Sequence, residues 1–536
     1  MYLAKVTRPL LLALLVAVVA AAPARAQSRQ IPIVVDPGLT LEDLVRLADR
    51  GAVGILVPAN GKKTSGAQAR AALEQGQVKP SYLDGGIPTG QARVTVSTAP
   101  YSSLERPPPG PLIVVGLPRG GPQPNDRAYP ILVVAPGYHG LLTSASTRLR
   151  GVVSIVDVAP TALREDGALS SAPEAHPAVR LLELDRLIRE KRDNRLDSAL
   201  MVGALIVLLV LVFPRAAALA YATALTANLI LGATETSTLW IVLLSFALAV
   251  AAAVPLALVV RSGTAVGIAL AAVLALYFAS FLVDGSWVAY SPWGPPQNGR
   301  FYGVSNQLET MLLVPAFASA ALLVRRLGWL AFGAVALVAF VVVAGSRFGA
   351  DGGGALVLAA GYAVLVVLLA GLRGRRLAIA VGGAALAAGA LIAIDAATGG
   401  SSHVTRAIGN GPDSLAFHFG ERLHVSWERV TSAAGPGLVT LVSVLVLAYL
   451  VLRLLRSDTS WGDRALPLAL AAAVVVSLLV NDSPSDVASA GLVGYLVCEA
   501  VMLRARCAAA SSLRSFWAAS WPAVEERPTG PPPQRP

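Results

Sequence analysis

The sequence predicts an α/β extracytoplasmic domain followed by an α-helical transmembrane bundle of about eleven spans. Two observations lead to this fold class. The 536-residue chain is 55% hydrophobic and only 14% charged, which lies outside the usual range of soluble globular proteins. Short β-rich runs alternate with helical stretches before residue 199, whereas long apolar runs recur after it. We therefore expect a polytopic membrane protein that carries one soluble domain.

Residues 1–26 have the pattern of a secretory signal peptide. Lys5 and Arg8 precede an apolar run, and the last three residues, Ala-Arg-Ala, form a small-x-small cleavage site. Cleavage there would place the following domain outside the cytoplasm. The alternative is an uncleaved anchor, which would leave the domain on the same side of the membrane. The sequence is compatible with both.

Residues 27–175 are expected to form a single α/β domain. The β-rich runs IPIVVD, AVGILVP and YPILVVAP alternate with helical stretches such as LTLEDLVRLADRG. This alternation predicts a sandwich built on a largely parallel sheet. Residues 176–198 then carry apolar and charged residues at helical spacing, which predicts an amphipathic stalk helix that enters the membrane.

Residues 199–503 form the predicted membrane half. Each apolar run in it is long enough to cross all or most of a bilayer core of roughly 30 Å. The runs lie at approximately 199–214, 216–233, 238–260, 264–283, 307–324, 327–344, 353–371, 377–395, 436–454, 465–481 and 487–503.

The distribution of arginine predicts the orientation of these spans. If residues 27–175 lie outside, alternation places the short arginine-rich loops inside, as the positive-inside rule requires. Residues 504–536 then form a cytoplasmic tail that is expected to be disordered. The net charge of +11 belongs to these loops, so no nucleic-acid partner is expected. The predicted environment is the lipid bilayer of the plasma (inner) membrane.

Three short polar clusters fall at the predicted outer face and suggest a shared ligand pocket. A charged side chain in hydrocarbon costs several kcal/mol, so ionisable groups at span ends often mark a polar cavity. Two arginines there would suit a phosphate or a carboxylate. The candidate pocket residues are Arg300, Asn306, Glu309, Arg347, Asp351, Asn481 and Asp482.

The alternative interpretation of these clusters is a set of ordinary solvated loops. In that case Trp287, Tyr290 and Trp293 would form an aromatic belt at the membrane surface. The histidine-bearing loop 396–435 lacks a metal-ligand spacing such as HExxH, and no metal site is predicted there.

Two segments of the outer domain resemble the alkaline-phosphatase-like superfamily, which includes sulfatases and phosphoglycerate mutases. Residues 31–58, IPIVVDPGLTLEDLVRLADRGAVGILVP, resemble its opening strand, acidic turn and helix. Residues 143–163, TSASTRLRGVVSIVDVAPTAL, are similar to its late strand-to-helix segment. GRFYG, FGADGGG and NDS in the membrane half also resemble uncharacterised bacterial membrane proteins that combine such a domain with many spans, a likeness that implies no activity.

The superfamily resemblance implies two metals held by Asp and His, with a Ser, Thr or modified Cys nucleophile at a helix start. By position, Asp36 matches the first metal carboxylate, and Thr64 or Ser65 matches the nucleophile. Where the family has Asp-His after a central strand, this chain has Leu117 and Pro118, whose side chains cannot bind a metal. A degenerate, non-catalytic domain is therefore favoured. A divalent metal is expected only if the domain is active, and no other cofactor is predicted.

The sequence leaves several functions open. The chain is interpreted as an integral membrane protein of the bacterial cell envelope that binds or acts on a lipid-linked or phosphate-bearing envelope precursor at its outer face. The alternatives are a transporter or flippase, and an active metal-dependent phospho- or sulfo-ester hydrolase or transferase. An acid beside an arginine serves general acid-base chemistry and ligand binding equally well, so the residues do not separate these hypotheses.

Overall fold

The chain folds into two compact units, which divide within one helix between Arg186 and Leu187. The predicted signal peptide, most of the span predicted at 377–395 and nearly all of the histidine-bearing loop lie outside the described residues. The computed structural model describes residues 30–58, 63–76, 93–101, 110–118, 123–124, 128–165, 168–295, 302–345, 347–349, 352–378, 382–383, 389–390, 426–427, 430–431, 434–481 and 483–520.

The N-terminal unit is built on a mixed β-sheet. The sheet order is β10-β8-β2-β7-β5-β1-β4, with β9 also paired to β2, while β3 and β6 pair separately. The strands are β1 Ile33–Val35, β2 Ala52–Val57, β3 Lys63–Thr64, β4 Val96–Thr98, β5 Leu112–Val115, β6 Gln123–Pro124, β7 Tyr129–Val134, β8 Gly140–Thr143, β9 Val152–Ser154 and β10 Ser170–Ala172.

The prediction of a largely parallel sheet needs correction. Strand β1 is parallel to β4 and β5, and β2 is parallel to β8 and β9. Strand β7, however, is antiparallel to both of its neighbours, β2 and β5, and β10 is antiparallel to β8. No helix lies among the described residues between β5 and β7, and parallel pairing needs a long crossover. β7 therefore returns beside β5 in the opposite direction.

The helices of this unit are α1 Leu41–Leu47, α2 Gly66–Glu74 and α3 Val158–Leu163. Strands β2 and β5 are buried along their whole length, which explains why their sequences are continuous apolar runs and not alternating patterns. Ile33, Leu73 and Ile131 belong to the core that the helices and the sheet enclose.

A capping box starts α1. The Thr40 hydroxyl accepts a hydrogen bond from the Asp43 backbone N–H at 3.1 Å, and the Thr40 backbone N–H donates to Asp43 Oδ2 at 2.9 Å. Burial raises the pKa of the Asp43 carboxyl, but the hydrogen bonds from Thr40 and the ion pair with Arg46 outweigh burial, so this pKa lies below its ordinary value of 3.8. The negative charge of Asp43 therefore stabilises the folded domain.

Most of the remaining helices are long and apolar. Among the described residues, eight of them are long and apolar enough to cross a membrane. The exceptions are the short helix α8 and α10, which is apolar but shorter. The chain is therefore a multi-pass membrane protein, while the count of eleven spans stays a prediction. These helices are α4 Pro177–Val212, α5 Pro214–Ala233, α6 Leu239–Val259, α7 Gly263–Val283, α8 Ser286–Tyr290, α9 Asn306–Ala344, α10 Gly352–Leu369, α11 Ala434–Arg456, α12 Trp461–Val480 and α13 Pro484–Ser520.

Helix α9 contains two of the predicted runs and folds back on itself. A straight helix of its 39 residues would be about 58 Å long at 1.5 Å per residue. Yet the Val304 backbone N–H, just before α9, donates to the Gly349 carbonyl, just after it, at 3.0 Å. The reversal occurs at Gly328, whose φ of 76° and ψ of −175° are not helical. The runs 307–324 and 327–344 are therefore two antiparallel passes.

Two other helices differ in extent from the predicted spans. Helix α4 joins the predicted stalk 176–198 to the first run in one continuous helix of 36 residues. Helix α13 continues to Ser520, although the sequence was interpreted as a disordered tail from residue 504. Its sequence from 504 to 520 contains neither proline nor glycine, so nothing local ends the helix there. Pro522 is the first helix-breaking residue that follows.

The first half of α9 is the centre of the helical unit, since every residue from 307 to 323 is buried. Helix α10 approaches it closely at Gly361. A Cβ atom at this position would lie 2.1 Å from Phe317 Cζ, so only glycine fits without movement of the ring. The Tyr362 hydroxyl next to it donates to the Ala316 carbonyl at 3.1 Å.

The charge of Asp43 gives a pH-dependent prediction for α1. Because the folded pKa is lowered, the stabilisation is present above 3.8 and is lost as the pH falls through the folded pKa. Asp43→Asn should therefore destabilise α1 at about pH 7 but change little at about pH 2, where wild type is protonated as well. Amide hydrogen exchange in α1, corrected for the intrinsic rate at each pH, measures the difference. The exposed Asp49 is the control, and a pH-independent effect of Asp43→Asn would contradict the assignment.

The contact of Gly361 with Phe317 gives a second prediction. Gly361→Ala should lower the thermal unfolding midpoint of the detergent-solubilised protein, by about 1–3 kcal/mol in unfolding free energy, because the added methyl group overpacks the helix interface. Adding Phe317→Leu should restore part of the loss. Gly333→Ala, where a Cβ atom meets nothing within 4 Å, is the matched control and should leave the midpoint unchanged or raise it slightly. Equal effects at Gly361 and Gly333 would refute this account.

Candidate functional site

An irregular segment lies buried inside the helical unit. The last three residues of helix α8 and the turn after it, residues 288–295, are buried without interruption. Trp293 is fully buried and stacks on Phe246 with 4.4 Å between the ring centroids. The alternative of an aromatic belt is therefore wrong for Tyr290 and Trp293, which pack inside the protein. Irregular backbone in a membrane bundle needs internal hydrogen-bond partners, because lipid supplies none.

Asn228 of α5 provides part of that partnership. Its Oδ1 accepts from the Trp293 backbone N–H at 3.0 Å, and its Nδ2 donates to the Ser291 hydroxyl and to the Tyr277 hydroxyl, each at 3.0 Å. The indole Nε1–H of Trp293 donates to Ser198 Oγ of α4 at 3.2 Å. One fully buried amide thus joins α5, α7 and the irregular segment.

Two cations of α4 provide the rest. Lys191 is buried, and its ammonium donates to the carbonyl of Ala289 and, at 2.9 Å, to that of Pro295. Arg195, one turn later, donates to the Gly294 carbonyl at 2.6 Å. The guanidinium and ammonium groups therefore bind the carbonyl oxygens that the irregular segment cannot pair in a regular ladder.

Ser305 connects this segment to the start of α9. Its hydroxyl donates to the Trp293 carbonyl at 2.6 Å and accepts from the Leu308 backbone N–H at 3.0 Å, which caps the helix. Arg195 also donates to Ser305 Oγ at 3.3 Å and lies 3.8 Å from the Asp486 carboxylate of α13. The first turn of α9 is thereby fixed against α4 and α13.

Glu309, in that first turn, is a fully buried carboxylate. Asn481, which follows α12, donates from Nδ2 to Glu309 Oε2 and to Ser477 Oγ, each at 2.8 Å. The Ser426 hydroxyl donates to the Asn481 carbonyl at 3.0 Å. Helix α10 also comes close, since a Cβ atom at Gly354 would lie 3.4 Å from Glu309 Cδ.

We call these connected groups the polar layer. It consists of Lys191, Arg195, Asn228, Ser305, Glu309 and Asn481. Chemically, it combines a buried carboxylate in the first turn of the central helix α9 with two cations from α4. Such groups hold ions and polar ligands, or move protons, in membrane proteins.

The structure describes four of the seven predicted pocket residues. Glu309 and Asn481 are in direct contact. Asn306 is the first residue of α9 and is half-buried. Arg347 is exposed in the turn 347–349, whose Gly349 contacts Val304. Arg300, Asp351 and Asp482 lie outside the described residues, so the convergence predicted for the whole set stays a prediction.

The sequence interpretation missed Lys191, Arg195 and Asn228. Asn228 is the only amide side chain in the apolar run 216–233, and this is the signal by which the sequence could have identified it. Lys191 and Arg195, four residues apart, lie within the predicted amphipathic stalk, and no contact is predicted for them from the sequence. Their spacing is that of one helix face, but only the buried segment 288–295 shows what that face contacts.

In the N-terminal unit, the positions carried over from the superfamily lie near the carboxyl ends of the neighbouring strands β1 and β5. Asp36 is fully buried directly after β1 and accepts from the Gly38 backbone N–H at 2.8 Å. Ser65 caps α2, and Thr64 lies in β3. A Cβ atom at Gly66 would lie 2.4 Å from the Pro118 carbonyl oxygen, so the start of α2 adjoins the end of β5. Leu117 there is buried.

Asp157 binds two serine hydroxyl groups. Its carboxylate accepts hydrogen bonds from the Ser144 hydroxyl and, at 2.7 Å, from the Ser146 hydroxyl, and makes no side-chain cap on α3. Among the described residues, no group of three or more His, Cys, Asp and Glu side chains is arranged to hold a metal ion.

Comparison with known proteins gives no relative: no protein-family model, no curated protein sequence and no solved structure matches this chain.

The contact of Glu309 with Asn481 predicts energetic coupling. Asn481→Ala should lower the unfolding free energy by about 1–3 kcal/mol, because it removes a donor from a buried carboxylate. The same substitution should cost less in a Glu309→Gln background, with a coupling of about 1 kcal/mol. Chemical unfolding in detergent micelles measures all four proteins. The exposed Asp284 is the control: the effects of Asp284→Asn and Asn481→Ala on the unfolding free energy should be additive. Additive effects of Glu309→Gln and Asn481→Ala would refute the coupling.

Proposed function

We propose that this chain is an integral membrane protein of the bacterial cell envelope whose polar layer binds a phosphate-bearing lipid or glycan precursor at the outer face. The N-terminal unit has a recognition or regulatory role in this proposal and is not the catalytic centre. The observation that carries the proposal is the burial of Glu309 and its hydrogen bond to Asn481 inside an otherwise apolar bundle.

A buried carboxylate is costly in a membrane protein unless it serves a purpose there. Desolvating a charge costs several kcal/mol, and a structural role alone would be met as well by apolar packing. Glu309 lies in the first turn of the central helix, four residues after Ser305, whose hydroxyl accepts a hydrogen bond from Arg195. The layer thus has both an acid and cations, which suits a ligand that carries negative charge and hydroxyl groups.

The flanking sequence supports the same ligand class. Arg300 precedes α9, Asp351 precedes α10 and Asp482 follows Asn481 directly. An arginine is well suited to a phosphate because its planar donors form paired hydrogen bonds with it. The hydrogen bonds of the polar layer join loops that the sequence predicts on the same, outer side of the membrane. This agreement also supports an outer-face site.

The outer domain supports a binding role more than a catalytic one. Hydrolysis by a metal pair needs several metal ligands at one sheet edge. Asp36 stands at that edge, but the neighbouring Leu117 is apolar and Pro118 presents a backbone carbonyl to Gly66. The domain keeps a strand, a helix and a capping serine in place, and its described residues do not include a second metal-ligand set.

The test combines depletion with complementation. Depletion should cause a phosphate-bearing envelope precursor to accumulate, and mass spectrometry of extracted lipids and cell-wall fragments would identify it. Wild-type protein supplied in trans should restore the normal level, whereas Glu309→Gln should not, because the neutral amide is a weaker hydrogen-bond acceptor than the carboxylate for the hydroxyl groups of the ligand. Purified Glu309→Gln should also retain at least tenfold less of that lipid, which corresponds to about 1.4 kcal/mol.

Asp284→Asn is the matched control, since it neutralises an exposed acid after α7. It should complement fully. The unfolding midpoint of each variant separates loss of ligand from loss of fold. An unchanged precursor pool on depletion, or full complementation by a folded Glu309→Gln protein, would contradict the proposal.

A further inference from the structure

A second cluster of cations lies at the opposite ends of the helices from the polar layer. A cleft with an empty volume of about 380 Å³, part of it open to the surroundings, is bordered by Arg215, Arg261 and Arg504. Arg215 is in the first turn of α5, Arg261 lies between α6 and α7, and Arg504 is in α13. Three sequence-distant segments thus contribute one arginine each to the border of the same cleft.

Arg504 holds these segments together. Its guanidinium donates to the Arg215 carbonyl at 3.2 Å and to the Val260 carbonyl. It therefore links the start of α5 to the end of α6, and its charge is fixed at the cleft by the backbone. Arg261 is oriented by a hydrogen bond from Nε to the Leu258 carbonyl at 2.9 Å.

The cleft has an excess of positive charge. None of the described residues that border it is an acid, so three arginines share the border of the cleft with no carboxylate. Like charges repel more strongly where protein and lipid replace water. An anion between the arginines would relieve this repulsion and accept several charge-assisted hydrogen bonds at once.

The cleft is also partly apolar. Val266, Leu322 and Val501 line its wall beside the arginines. Exposed side chains such as Leu256, Leu258 and Val259 continue the apolar surface along the end of α6. Guanidinium groups next to an apolar wall suit a molecule with an anionic head and a hydrocarbon part, and basic pockets between membrane helices recognise lipid headgroups in this way.

We propose that the cleft bordered by Arg215, Arg261 and Arg504 is a binding site for a phosphate-bearing anion, presented either by a membrane lipid headgroup or by a soluble phosphate. The site is independent of the polar layer and of the function proposed for it. In the predicted topology it faces the cytoplasmic leaflet. The phosphate would bind between the planar donors of Arg215 and Arg261, with Arg504 as the fixed cation behind them.

The full chain, purified in a neutral detergent and stripped of lipid, provides the test. Its thermal unfolding midpoint is measured with phosphatidylglycerol, with inorganic pyrophosphate and with phosphatidylcholine as the zwitterionic reference. We expect a rise with at least one of the two anions that exceeds the effect of phosphatidylcholine. A rise with phosphatidylglycerol alone assigns the site to a lipid headgroup, and a rise with pyrophosphate assigns it to a soluble phosphate.

The variants locate the effect. Arg215→Gln with Arg261→Gln should weaken binding of the effective anion by at least tenfold in a titration, whereas Arg376→Gln, which neutralises an exposed arginine outside the cleft, should not. Arg504 is left intact because its substitution would also remove two backbone contacts. Native mass spectrometry of bound lipid gives a second readout if the double variant is less stable. No stabilisation by either anion, or the same affinity in the double variant, would overturn the proposal.

Discussion

The burial of an irregular segment among apolar helices is the constraint on which the helical unit depends. Residues 288–295 have backbone groups that no helix or strand ladder satisfies, and neither water nor lipid can replace those partners inside the bundle. Asn228, Lys191 and Arg195 meet this need from two helices. The position of Trp293, the cap on α9 and therefore the location of Glu309 follow from the same set of contacts.

This arrangement also explains why the central helix can carry an acid at its start. Ser305 fixes the first turn of α9 while it is itself held by Arg195, so Glu309 has one place relative to α12 and α13. Glycines at 354 and 361 let α10 approach that helix closely. Rigid close packing keeps the buried carboxylate and Asn481 at hydrogen-bond distance, which a loosely packed bundle would not do.

Much of the helical architecture could be predicted from the sequence, because apolar length is a strong signal. The starts of α9 and α10 and the end of α12 coincide with the predicted polar clusters, and the reversal at Gly328 falls at the start of the second of two predicted runs, 327–344. The contact of Glu309 with Asn481 joins positions far apart in the chain, and hydropathy gives no distances. The direction of β7 was not predictable for a related reason, since strand composition does not encode the partner strand. The sequence gives no sign of the role of Lys191, because a charged residue on an amphipathic helix is usually solvated.

The two cations of α4 have a consequence for biosynthesis. Their carbonyl partners, Ala289, Gly294 and Pro295, are about a hundred residues further along the chain, with separations of 98 for Ala289 and 104 for Pro295 from Lys191. When α4 first enters the membrane, these partners have not yet been synthesised, so Lys191 and Arg195 must remain hydrated at the surface. Helix α4 can reach its final depth in the membrane only after α5, α6 and α7 have been inserted. The order of translation therefore determines the order of assembly.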